Sequence, residues 1–216
     1  MQMWVFRITR GKDGGRPQRI CPIGVNQIDI ENQISSIKPT ELKYDGGEVN
    51  FVIQELFKYH KLRQGWGIPG LDLSLPDDLW VKNFRIGAWQ YWEKYVTCDD
   101  AMGRKYILNH MLKMKKGDII FIPNVSEKTD DSEYFTVATV KTKYSFENRS
   151  HMADTWEKDF GHIIGVNNLR TFRFSIKTLL RNYFMAPFLH AVDPIRPHYQ
   201  SYNSFKTFCS SQYLSL

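Results

Sequence analysis

The chain has 216 residues, 42% of them hydrophobic, with a formal charge of +6 and a pI of about 9.1. That much apolar material excludes wholesale disorder, and the length suits one large domain or a core domain with an appendage. No run approaches the ~20 consecutive apolar residues of a membrane span, and the opening Met1-Gln2-Met3-Trp4-Val5-Phe6-Arg7 is too short and charged for a secretory core. A cytoplasmic protein with no membrane partner is therefore expected. The three cysteines, Cys21, Cys98 and Cys209, are odd in number and far apart, and read as incidental thiols rather than a disulfide framework or a zinc site.

The charge is unevenly spread. Residues 1–43 hold seven Lys/Arg against four Asp/Glu, residues 141–181 hold eight against four, and residues 44–99 reverse the sign with six against eight. Two basic regions brought together by folding would form a positive face that attracts a phosphate backbone. The plainer alternative is an ordinary surface with surplus lysine.

Residues 4–8 alternate and predict a first strand, followed by loops at 12–17 and 44–47, with the region from 20 to 37 ambiguous. Val49, Val52, Ile53, Leu56 and Phe57 have the spacing of an amphipathic helix ending near Leu62. A short strand at 62–64 then breaks into the loop Gly65-Trp66-Gly67-Ile68-Pro69-Gly70. Helical spacing returns with Ala88, Trp89, Trp92, Tyr95 and Val96, and again with Ile107, Met111 and Met114. From 119 the period changes to strands: 119–123, 134–140 after a hairpin loop, 161–166, and a continuation over 170–174. Ser175 N-caps a predicted helix with the stripe Ile176, Leu179, Leu180, Tyr183 and Phe184, and Tyr202, Phe205 and Phe208 predict a short closing helix. This order predicts an α+β fold, a small curled sheet or barrel flanked by helices.

Catalytic constellations are scarce. No Walker loop, strand–GxGxxG–helix unit or Gly-x-Ser-x-Gly elbow occurs; in the 65–70 loop the Pro removes a backbone N–H that a phosphate cradle would use, and the large Trp is unsuited to such a cradle. None of His60, His110, His151, His162, His190 and His198 is paired at zinc-ligand spacing. Asp29, Glu41 and Lys43 have the pattern of a metal-dependent nuclease core, but a three-residue pattern is common in a chain this long. Asp77-Asp78 and Asp130-Asp131 read as solvated turn residues. No catalytic centre, metal site or cofactor is expected.

The aromatics carry the remaining signal. Trp89, Trp92 and Tyr95 lie on one helical stripe and read as core, as does Trp4 in the first strand. Trp66 and Trp156 have polar and glycine neighbours in loops, where binding side chains concentrate. Two such indoles facing each other would form a slot for a flat base or a methylated amine.

The strand at 4–8, the strand-loop Arg63-Gln64-Gly65-Trp66-Gly67, the helix ending at Lys116-Gly117, the run Asp118-Ile119-Ile120-Phe121-Ile122-Pro123, the strand at 134–140, the Trp156 loop and Asp159-Phe160-Gly161-His162-Ile163-Ile164-Gly165-Val166 follow one another in that order. The layout resembles the PUA-like superfamily, in particular its EVE and YTH branches and the N-terminal domains of McrB- and Mrr-type modification-dependent restriction proteins. The similarity spans residues 3–175 and is one of order and spacing.

The resemblance implies a small β-barrel whose pocket accepts a modified base, flipped from its strand, between Trp66 and Trp156. Gln64, Ile68, Phe160 and His162 would be pocket neighbours, and Lys141, Lys143, Arg149 and Lys158 phosphate contacts. It favours DNA over RNA, with a methyl-RNA reader as the alternative within the class; a small metal-dependent nuclease using Asp29, Glu41 and Lys43 is the alternative from a different class. Two departures stand out. The segment between Gly70 and Tyr106 is long and carries Trp80, Trp89 and Trp92, any of which would serve as a cage wall. Residues 176–216 lie beyond the resembling domain as a C-terminal helical extension packed on it or extending from it. Cutting would require a motor or nuclease domain or subunit from elsewhere.

Overall fold

The structure, a computed structural model, describes residues 1–8, 48–92, 94–125, 130–148, 160–173, 191–199 and 202–214. The loops expected at 12–17 and 44–47, the 20–37 region, the Asp29, Glu41 and Lys43 pattern, Arg149, Trp156, Lys158 and the helix after Ser175 lie outside the described residues.

The fold is α+β: a curled six-stranded sheet with helices on both faces. In chain order the elements are β1 (Met3–Phe6), α1 (Glu48–Tyr59), β2 (Lys61–Gln64), α2 (Asp77–Trp92), α3 (Cys98–Lys113), β3 (Ile119–Val125), β4 (Asp130–Phe146), β5 (His162–Arg173), β6 (Val192–Ile195) and α4 (Tyr202–Phe208), the last running into a wide turn at Cys209–Tyr213. The strand order is β2-β5-β4-β3-β1-β6, with β1 and β3 parallel and the other pairs antiparallel.

Strand alternation splits the core in two. Trp4, Phe6, Ile120, Ile122, Ala138, Val140, Ile164 and Val166 face α1, α2 and α3, while Met3, Val5, Ile119, Phe121, Phe135 and Val137 face α4. Each fully buried large apolar side chain contributes roughly 1.5–3 kcal/mol, so both faces need their cover. Phe205 supplies much of it on the second face, edge-on to Phe121 with ring centres 4.7 Å apart. Tyr213 anchors the end of that segment. Its hydroxyl donates to the Asn168 carbonyl at 2.8 Å, and its own carbonyl accepts from Arg170 at 3.1 Å. The closing helix read from Tyr202, Phe205 and Phe208 is α4.

Helix α2 begins earlier than the stripe at Ala88 implies. Asp77 and Asp78 form its first turn, where acidic groups complement the helix dipole, and Asp77 pairs with the buried Lys105 of α3 at 2.6 Å. They are helix residues, not turn residues, and Asp130 likewise opens β4. At Cys98 the expectation of incidental thiols fails: this residue is disulfide-bonded, and separation along the sequence says nothing about proximity in space. Cys209 is a free thiol buried against the Met3 sulfur at 4.0 Å, and burial pushes its pKa up to about 12, so it is inert. No described helix is long and apolar enough to cross a membrane.

Candidate nucleic-acid interface around the Trp66 loop

The loop from 65 to 76 joins β2 to α2, and the sheet holds its start firmly. Gln64 is paired with His162 across β2 and β5. The Gln64 side-chain oxygen accepts from the Gly65 N–H at 2.9 Å, and its Nε2 donates to the Arg7 carbonyl at 2.9 Å. Gln64 is buried and both ends of its amide are used, so it shapes the loop from beneath. Ile68 is also buried, seated on Gly87 of α2. A Cβ at Gly87 would lie 2.0 Å from Ile68 Cδ1, so this helix position has to stay empty for the loop to dock.

Trp66 is half-buried at the tip of this loop, packed against the helical core. The Arg104 guanidinium of α3 lies over its ring, 5.3 Å from the centroid, and the same guanidinium is 5.2 Å from Trp92 and 5.6 Å from Phe84, both of α2. Arg104 also donates to the Trp66 carbonyl at 3.4 Å. Three rings from two elements thus surround one planar cation, an arrangement whose attraction comes from the ring quadrupoles. Of the three tryptophans between Gly70 and Tyr106, Trp92 joins this cluster. Trp80 is fully buried, stacked on Phe84 at 4.9 Å, and Trp89 is half-buried.

Beneath the loop runs a polar chain from Asp72 through Tyr144 to His162. The Tyr144 hydroxyl donates to Asp72 Oδ1 at 2.8 Å and accepts from the Leu73 N–H at 3.3 Å. Its single proton is committed to Asp72, so the 3.0 Å contact with His162 Nδ1 is an Nδ1–H donating to the Tyr144 oxygen. His162 is completely buried between the Tyr144 and Phe146 rings, and burial pushes its pKa down to about 4 against the opposing pull of Asp72. The imidazole is therefore neutral at pH 7, in the Nδ1–H tautomer, and ties β5 to β4 and to the loop. Asp72 in turn is held ionised below its ordinary pKa by hydrogen bonds from Ser74 and Tyr144, which outweigh its desolvation.

Phe160 precedes β5 with a left-handed backbone, φ 45°, and is buried against Phe51 and Val52 of α1. Its carbonyl accepts from the buried Arg63 at 2.8 Å, and Arg63 also pairs with Glu55 at 2.6 Å and with Glu147. Phe160 and Arg63 thus lock α1, β2 and the end of β4 together. Neither presents a surface to a ligand.

Lys141 and Lys143 are exposed on β4, where the pairing with β5 slips between Val140 and Tyr144. Val140 opposes Val166 and Tyr144 opposes Ile164, so β4 carries extra residues there. A Cβ at Gly165 would meet Thr142 Oγ1 at 2.3 Å, so the glycine is what lets the exposed Thr142 side chain lie across β5. The bulge carries both lysines into solvent on the sheet flank.

Of the residues singled out from sequence, the structure brings Trp66, Gln64, Ile68 and His162 into one region and puts Lys141 and Lys143 on the strand that carries Tyr144. Trp156, Arg149 and Lys158 lie outside the described residues. Sequence reasoning misses Arg104, Phe84, Asp72 and Tyr144. Arg104 carries no local signal, standing between Gly103 and Lys105 in a helix with a weak apolar stripe. Tyr144 has one, since Thr142 and Tyr144 prolong the alternation of the 134–140 strand.

No family model, no curated protein and no solved structure matches the chain, so its function has to be argued from its own residues.

Proposed function

We propose that the chain is a PUA-like module that binds nucleic acid, DNA in preference to RNA, and recognises a modified base in the aromatic slot at Trp66. In this reading it is the specificity domain of a modification-dependent restriction or defence system, with cutting supplied by a separate motor or nuclease. The observation that supports it is the cluster of the half-buried Trp66 and Trp92 and the buried Phe84 around Arg104. A flat, electron-poor ring suits the same surroundings as the planar guanidinium. A base that enters takes the guanidinium's place against Trp66, and Arg104, swung outward, meets the phosphate.

The energetics set what the surroundings must supply. Extruding a base from a duplex costs a few kcal/mol, and stacking on an aromatic side chain returns about 1–3 kcal/mol. Phosphate contacts supply the remainder, and Lys141 and Lys143 are exposed for that purpose. Each phosphate contact adds about 0.9 to the slope of log affinity against log salt.

The test is a binding panel of oligonucleotides carrying N6-methyladenine, a modified cytosine or plain bases, measured with the intact chain and with Trp66→Ala. Modified strands are expected to bind more tightly, and Trp66→Ala is expected to erase that preference while the protein still unfolds cooperatively. Equal affinity across the panel overturns the reading.

A further inference from the structure

A cavity of about 470 Å³ lies away from the Trp66 loop, where the end of α3 meets the start of β1 and the end of β6. Trp4, Tyr106, His110, Lys113, Asp118 and Arg196 line it. The volume lies within the ~300–1,000 Å³ range of small-molecule sites.

Its chemistry is lopsided. Lys113 and Lys115 bring two positive charges from the end of α3 and just beyond it, and Arg196 brings a third from the end of β6. The one carboxylate among the described lining residues, Asp118, is already engaged: Oδ1 accepts from the Gln2 N–H at 2.8 Å, and Oδ2 accepts from Trp4 Nε1 at 3.0 Å and from the Lys115 N–H at 3.1 Å. Three donors therefore neutralise much of its pull on the cavity. Between the cations and the aromatics sits His110, whose ring lies 5.1 Å from Tyr106 and 6.1 Å from Trp4. Its Nδ1–H donates to the Val192 carbonyl at 2.9 Å, because a carbonyl only accepts, and this leaves Nε2 as the lone-pair nitrogen. Tyr106 is 45% exposed, so its ring is an open face at the rim.

We propose that this cavity binds a phosphate monoester carried on a flat ring, a mononucleotide unit, with the phosphate on Lys113, Arg196 and His110 and the ring against Tyr106. A phosphate monoester has the charge to answer this cationic cluster and the proton to share with Nε2. The site is independent of any base recognition at Trp66.

Burial holds the His110 pKa below the ordinary value, and Lys113 and Arg196 press it down further, while the hydrogen bond to Val192 opposes them. Lys115 and Asp118 complete the charged side chains described around the cavity. An anion seated between Lys113 and Arg196 reverses their effect, so ligand binding reports itself on His110.

The experiment follows the His110 imidazole by NMR across about pH 5–8, the range in which histidine titrates, while inorganic phosphate, adenosine monophosphate or adenosine is added to the full chain. Phosphate and the nucleotide are expected to raise the His110 midpoint saturably, the nucleotide at a concentration roughly tenfold lower, as about 1.4 kcal/mol of ring contact implies, and adenosine is expected to leave it unmoved. The Lys113→Gln, Arg196→Gln pair should abolish the response, and Tyr106→Ala should erase the advantage of the nucleotide over phosphate. Oligonucleotides with and without a 5′-phosphate separate a strand end from a free nucleotide as the source. Trp66→Ala should change none of this, which separates failure here from failure of base recognition. No saturable shift with either phosphate compound, or an equal shift in the doubly substituted protein, overturns the proposal.

Discussion

Acidification singles out His162. Its folded pKa is about 4 against an ordinary 6.5, so the folded state refuses a proton that the unfolded chain accepts. A depressed histidine leaves stability intact above about pH 6.5 and removes it as pH falls toward 4, at ~1.4 kcal/mol per pH unit. Between about pH 6.5 and 4.5 the loss from His162 alone is about 2–3 kcal/mol. His110, also depressed, acts in the same direction. Asp72 and Glu147 are carboxylates held below their ordinary values, so their contributions are present above about pH 4 and fade only below it, outside this window. His162→Phe separates the effect. It keeps a ring between Tyr144 and Phe146 and forfeits the hydrogen bond to Tyr144, a cost of about 1 kcal/mol at neutral pH. The variant should therefore begin less stable and lose less on acidification, so that the two curves cross near about pH 6. Urea unfolding midpoints of both proteins, taken in steps of about half a unit from roughly pH 7.5 to 4.5 with the disulfide kept oxidised, measure this. Parallel curves would refute the assignment of a buried neutral imidazole.

Two substitutions test the packing on either side of the sheet. Gly161→Ala would put a Cβ 2.6 Å from the Glu147 backbone oxygen and 2.7 Å from the Phe146 ring, and the main chain there cannot swing aside because the Glu147 N–H is bonded to the Gly161 carbonyl. The expected cost is about 2–3 kcal/mol in chemical denaturation; Gly117→Ala, strained by φ 89° but facing open space, should cost only about 1 kcal/mol, and equal costs would contradict the argument. Phe205→Ala empties the fully buried position against Phe121, worth about 3–5 kcal/mol, or a fall of roughly 6–20 °C in Tm by calorimetry. A shift under about 2 °C would mean that α4 does not hold the second face of the sheet.

What can be read in advance follows the range of the forces involved. The α1 stripe of Val52, Ile53 and Leu56 and the strands carrying Ile120, Val137 and Ile164 are set by local periodicity, and the structure buries those residues. Periodicity gives helix α2 only from Ala88 onward, although Trp80, Val81, Phe84 and Ala88 form a complete buried stripe and the Pro76 carbonyl accepts the Trp80 N–H at 2.9 Å as the first helical bond. The acidic pair at its start reads as a turn because a Leu-Pro step precedes it. Strand β6 has no periodicity of its own. It is four residues long and contains Pro194, tolerable only at a sheet edge, and it is a strand because β1, nearly the whole chain away, lends it hydrogen bonds. The site obeys the same rule. Trp66 and His162 are visible as residue types in unusual settings, but the partner of each is fixed by tertiary geometry. Arg104 reaches Trp66 only because α3 packs on α2, and Tyr144 reaches His162 only because β4 pairs with β5. A residue's oddity can therefore be read locally, whereas its chemistry belongs to the neighbour that the fold delivers.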